Sequence, residues 1–121
     1  MVTLKNTTIL FRPVGQKEMD LIAKSGFHSF PPRLEGQPIL YPVMNEDYAT
    51  HIAREWNTKD TASGFVGYVL RFAVCSDFLS EFEIQKVGSA TALELWIPAE
   101  RLKEFNENIV GRIEVISTHL P

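Results

Sequence analysis

Three residues of this sequence carry side chains suited to one piece of chemistry: Arg12 in "ILFRPVG", Tyr41 in "PILYPV" and Glu94 in "LELWI". A guanidinium holds a phosphate through parallel N–H donors, and an aromatic ring stacks on a planar heterocycle. A carboxylate binds a ribose hydroxyl and stabilises a cation that develops beside it. Gathered in one cleft, the three meet the needs of splitting the glycosidic bond of NAD. Taken singly, each has an ordinary reading, as a surface cation, an amphipathic core ring and a solvated strand carboxylate. Their convergence is therefore the expectation on which a functional reading rests.

The elements that position them follow from periodicity. In "TALELWI", Leu93, Leu95 and Ile97 fall on one face of a strand and Ala92, Glu94 and Trp96 on the other. Trp96 thus shares a face with Glu94, either as a pocket wall or as a sheet-to-helix packing residue. "TTILFRP" reads as a short strand ended by Pro13. "GQKEMDLIAKSGF" reads as a helix, with Met19, Ile22 and Ala23 at helical spacing and Gly26 at its left-handed C-terminal cap. The loop "HSFPPRLEGQ" is stiffened by paired prolines, which would fix Arg33 over a ligand, with His28 nearby; the competing reading is a solvated loop charge.

"PILYPV" is a second short strand, and Asn45 followed by Glu46 and Asp47 is a helix start. The helix "EDYATHIAREW" places Tyr48, Ile52 and Trp56 on one stripe, with Trp56 read as helix core. "NTKDTASG" is a polar connector expected to be mobile. From Phe65 the period changes to two, giving a long strand to Cys75; "FEIQKV", "TALELWI" and "GRIEVIS" follow as strands, with a short helix in "PAERLKEFN". The whole, residues 1–121, is expected to be a single α+β domain with helices early and mostly antiparallel strands later.

Composition narrows the partners. A net charge of −3 and a pI near 5.6 supply no general attraction to phosphate backbones or anionic lipid, which disfavours nucleic acid and a membrane. The single Cys75 cannot form an internal disulfide and reads as a buried thiol in a reducing compartment. His28, His51 and His119 are too scattered for a recognisable metal site. The first residues, "MVTLKNTTILFRP", lack the pattern of a secretory leader, and no long apolar span occurs, so a cytoplasmic location is expected.

Three blocks carry a family resemblance. "ILFRPVGQKEMDLIAKSGF" is similar to the opening of ADP-ribosyltransferase-like domains, "PILYPVMNEDYATHIAREW" resembles their second block, and "TALELWIPAERL" looks like their third, the strand that bears the glutamate. The phrases "FPPR", "YPV" and "WIPAERLKEFNENIVG" also resemble short bacterial proteins called ADP-ribosylation/crystallin. The resemblance implies a small ADP-ribosyltransferase-like fold, a mostly antiparallel split sheet with short flanking helices, and NAD as substrate. It implies that Arg12 contacts the phosphates or a ribose, that Tyr41 or Tyr48 packs on the nicotinamide, and that Glu94 holds the ribose hydroxyl. Ala92 stands where the family carries the acid or amide that addresses arginine or asparagine. Arginine is therefore not the implied acceptor; another acceptor, water, or a non-catalytic module that binds a protein or nucleotide remains.

Overall fold

The computed structural model describes residues 6–121. Strand β1 (Thr7–Val14) leads into helix α1 (Gln16–Lys24), and after a long loop come strand β2 (Ile39–Leu40) and helix α2 (Glu46–Glu55). Two 3-10 turns then precede strand β3 (Gly67–Cys75) and the short helix α3 (Ser76–Leu79). Strands β4 (Ile84–Lys86), β5 (Leu93–Leu95) and β6 (Ile97–Pro98), helix α4 (Leu102–Glu107) and strand β7 (Ile109–His119) complete the chain. The domain is α+β, and every strand pair among the described residues is antiparallel.

The sheet order is β1-β3-β7, with β2-β6 and β4-β5 as separate pairs. Val43 joins these parts, bridging Phe11 on one side and Glu94 on the other. Phe11 and Val43 exchange both backbone hydrogen bonds at 2.8 Å. At the next ladder position, opposite Tyr41, Pro13 has no N–H to give, and Pro42 turns its carbonyl the other way, to the Leu95 N–H at 2.9 Å, so the pairing does not extend toward β2 and the sheet splits there. Pro13 does not end β1, as the sequence suggests; the strand continues to Val14 because its other edge is paired along its whole length with β3.

Helix termini form where local chemistry favours them. Asn45 accepts a hydrogen bond from the Tyr48 N–H at 3.1 Å and caps α2, while Glu46 and Asp47 lie at the positive end of its dipole. α1 ends with Gly26 at φ 75°, the Gly26 N–H bonding the Ala23 carbonyl and the Phe27 N–H that of Ile22. This is the left-handed cap that Gly26 announces in the sequence.

The two faces of the sheet bury different material. Leu10, Val14, Leu70, Phe72 and Val74 pack on the α1 side around Phe30 and Phe105. Phe30 meets Phe72 edge to face at 4.9 Å, and its backbone N–H and carbonyl are both satisfied by the Asn106 amide, which holds the proline-rich loop down. On the other face, α2 lays Ala49 and Ala53 against Val43 and Val69. This corrects the stripe read from the sequence: Trp56 is 70% exposed rather than core, because α2 approaches through its alanines. The approach is so close that a Cβ at Gly67 would lie 2.6 Å from the Ala53 carbonyl oxygen.

At the open edge, β7 is bulged opposite β3, and the Ile113 N–H bonds the Phe27 carbonyl at 2.7 Å. Among the described residues no helix is long and apolar enough to cross a membrane. The Gly67 contact gives a direct test. Gly67→Ala should destabilise the fold by about 1–3 kcal/mol, the usual range for overpacking, seen as a lower urea midpoint; an unchanged midpoint would mean that α2 can retreat freely.

Candidate functional site

Alternation decides where Arg12 points. It lies two residues from both Leu10 and Val14, so it shares their buried face and is only 8% exposed. A cation there needs a counter-charge, and Glu18, in the first turn of α1, supplies it. Arg12 Nε donates to Glu18 Oε2 at 2.7 Å and Nη2 to Oε1 at 2.9 Å, a bidentate pair. Nη1 reaches across the split to the Tyr41 carbonyl at 3.4 Å.

Glu94 is held from the other side. It lies beside Val43 on the α2 face, where the Tyr48 hydroxyl donates to its Oε2 at 2.8 Å and the Trp96 indole N–H to its Oε1 at 3.0 Å. Burial, and then the bond to Glu94, pushes the Tyr48 hydroxyl up to about 12, so at neutral pH it remains a donor. Trp96 in turn meets Tyr41 edge to face at 6.2 Å. The carboxylate thus has a fixed orientation set by one residue of α2 and by the residue that follows the end of its own strand.

Between these groups lies a crevice of about 730 Å³. Arg12, Tyr41 and Glu94 all line it, so the three residues singled out from the sequence share one cavity wall. They reach it from opposite faces of the sheet, through the gap beyond the Phe11–Val43 pair. Trp56, Asn57, Lys59 and Asp60 form the far wall. A second hollow of about 480 Å³ lies on the α1 side and shares Arg12, Pro13, Asn57 and Asp60 with the first. Arg33 belongs to this second hollow and not to the crevice; its Nη1 lies 3.7 Å from Glu18 Oε1. Burial, and then the adjacent Arg12 charge, lower the Arg33 pKa, against the raising effect of Glu18. His28 is exposed and lines neither hollow.

Residues 57–64 are built, in contrast to the mobile connector that their polarity suggests. Two 3-10 turns, Asn57–Lys59 and Thr61–Ser63, are tied by Asn57 Nδ2 donating to Ser63 Oγ at 3.0 Å and by Ser63 Oγ donating to Asp60 Oδ2 at 2.8 Å. Thr58 and Ser63 are buried, and Ser63 sits so near Gly15 that a Cβ there would lie 2.5 Å from its Cα. Sequence reading missed these wall residues and Glu18. Polar residues after a helix end look like any turn, and a salt-bridge partner six residues along, across a strand-to-helix junction, has no local signature. Among the described residues no group of three or more His, Cys, Asp or Glu side chains is placed to hold a metal ion. Comparison with known proteins finds no family model, no curated protein and no solved structure that matches the chain.

Two outcomes follow from the geometry. Glu18→Gln should leave Arg12 buried without its counter-charge and cost on the order of 3 kcal/mol in urea unfolding; a loss near zero would show that Arg12 is solvated. Tyr48 gives a pH dependence. Its folded pKa, about 12, lies above the ordinary 10.0, so the hydroxyl's contribution to stability is complete below pH 10.0 and is lost as pH rises toward 12. The unfolding midpoint of the native chain should therefore fall more steeply across that window than that of Tyr48→Phe, and parallel curves would contradict the Tyr48–Glu94 bond.

Proposed function

We propose that the crevice takes up NAD or a related nucleotide and that the chain is an ADP-ribosyltransferase-like enzyme, which breaks the nicotinamide–ribose bond and passes ADP-ribose to an acceptor or to water. The observation that carries this reading is the placement of Glu94. Its carboxylate is oriented by two donors, Tyr48 and Trp96, in the wall of a crevice that Arg12 and Tyr41 also line. A carboxylate held in this way can accept a hydrogen bond from a ribose hydroxyl without rearranging. Its negative charge then favours the oxocarbenium-like state as the C–N bond lengthens and nicotinamide leaves with the bonding electron pair. Tyr48 and Trp96 act through Glu94 and are positioning residues. The Tyr41 ring, 40% exposed, offers a face to a planar heterocycle.

Arg12 takes a different part from the free phosphate clamp that the resemblance implies. Two of its nitrogens are committed to Glu18, so it contributes a fixed positive wall, and any phosphate there shares it with that carboxylate. The same commitment favours a second reading, a binding module on this scaffold with a protein or nucleotide partner, because both oxygens of Glu94 also already have donors.

Incubation of the purified protein with millimolar NAD, followed by chromatography of released nicotinamide, separates the two. The enzyme reading expects release, reduced about a hundredfold in Glu94→Gln, the scale of losing a placed electrostatic group. NAD bound without release would favour the module, and absence of both binding and release would overturn the nucleotide reading.

A further inference from the structure

We infer that the second hollow, on the α1 side of β1, is an anion site that takes a phosphate group between Arg33 and Lys17. This stands apart from the reading of Glu94, since it concerns the opposite face of the sheet and a different set of side chains.

The inference starts from charge. The hollow is lined by three cations, Arg12, Lys17 and Arg33, and by two carboxylates, Glu18 and Asp60, on a chain whose net charge is −3. The carboxylates are not free to serve Arg33. Asp60 accepts from Ser63 Oγ and from the Ala62 N–H, and Glu18 gives both oxygens to Arg12 at 2.7 and 2.9 Å. What remains for Arg33 is a loose contact of 3.7 Å with an oxygen already taken by Arg12. Its side chain is only 11% exposed, and its Nε is buried with no hydrogen-bond partner. A guanidinium whose Nε is sealed from water without a partner, beside a second cation and with a share of one carboxylate, is incompletely satisfied until an anion reaches its remaining N–H groups.

The loop that carries Arg33 is fixed in place. Pro31 and Pro32 precede it, and the following turn is closed by the Gln37 N–H on the Leu34 carbonyl at 2.9 Å and by Gln37 Oε1 accepting the Leu34 N–H at 3.2 Å. The hollow also receives the start of α1. Gly15 is the N-cap, its helix end has no side-chain cap, and both Gly15 and Lys17 line the cavity. An oxyanion there meets the positive end of a nine-residue helix together with the planar fork of Arg33. Arg33 and the uncapped helix end are independent features: the fork of Arg33 matches the oxygen spacing of a phosphate, and the helix end favours its negative charge. The group is either the phosphate of a second molecule or the diphosphate of one that occupies the neighbouring crevice.

The test is an NMR titration on the full chain, read at the arginine side-chain Nε–H signals and, in the variants that lack Arg33, at the backbone amides of Gly15 and Lys17. Inorganic phosphate is the probe, at constant ionic strength, with chloride as the reference. Saturable shifts at Arg33 are expected at millimolar phosphate. Affinity should fall about tenfold in Arg33→Gln and by less in Arg33→Lys, which keeps the charge and loses the fork. Lys17→Gln, at an exposed position with no fold penalty to confuse the result, should weaken binding about threefold. A response that is unsaturable, or equal in the Arg33→Gln and Lys17→Gln variants, identifies an adventitious ion only and overturns the site. Adding ADP-ribose tells the sources apart. Displacement of phosphate assigns the site to the diphosphate, whereas simultaneous binding assigns it to a second, phosphorylated molecule. Neither result depends on nicotinamide release, so a failed NAD assay leaves this inference intact.

Discussion

Phe11 and Val43 exchange two backbone hydrogen bonds, and there the pairing of their segments stops, since Pro13, at the next position that faces the Val43 segment, has no N–H to continue it. Most of what is distinctive in the molecule depends on that interruption. One side of the sheet holds β1, β3 and β7; the other holds the short pairs, with Glu94 on β5 and Trp96 between β5 and β6. Had the ladder run on, β1 and the segment before Val43 would lie side by side, and no opening would connect the two faces. The split lets a residue on the α1 face and a residue on the α2 face border one cavity.

The second constraint is the burial of Arg12. A guanidinium on the same face as Leu10 and Val14 is tolerated because α1 begins immediately after the strand and brings Glu18 back over it. That arrangement uses up the one carboxylate nearest to Arg33. The charge excess at the second hollow is thus a consequence of how β1 is folded against its own helix, and it is local: the chain as a whole is acidic.

Much of this architecture is legible in the residues. Period-two alternation marks β3 and the faces of β5, Gly26 and Asn45 mark helix ends, and Arg12's spacing from Leu10 and Val14 already puts it on an apolar face. What escapes is set by tertiary packing. The bulkier stripe of α2, Tyr48, Ile52 and Trp56, suggests the wrong contact face, since the absence of a side chain at Gly67 draws in the alanine stripe instead. Thr58 and Ser63 are buried through hydrogen bonds to Arg54, Asp60 and Asn57, an arrangement with no hydrophobic signal to reveal it. Glu94 is legible as an oddity, but its two donors are not: Tyr48 lies far away in the chain, and Trp96 reads equally well as a packing residue.

The bulge in β7 acts beyond its own hydrogen bonds. This is the longest strand, and its outer margin is of the kind that recruits a strand from another copy of the chain. The Ile113 amide is already engaged by Phe27, and the Arg112 guanidinium lies over the Phe27 ring at 5.6 Å. An incoming strand would find its template broken midway, with a charge in its path. The device that ties the end of α1 to the sheet therefore also resists edge-to-edge polymerisation.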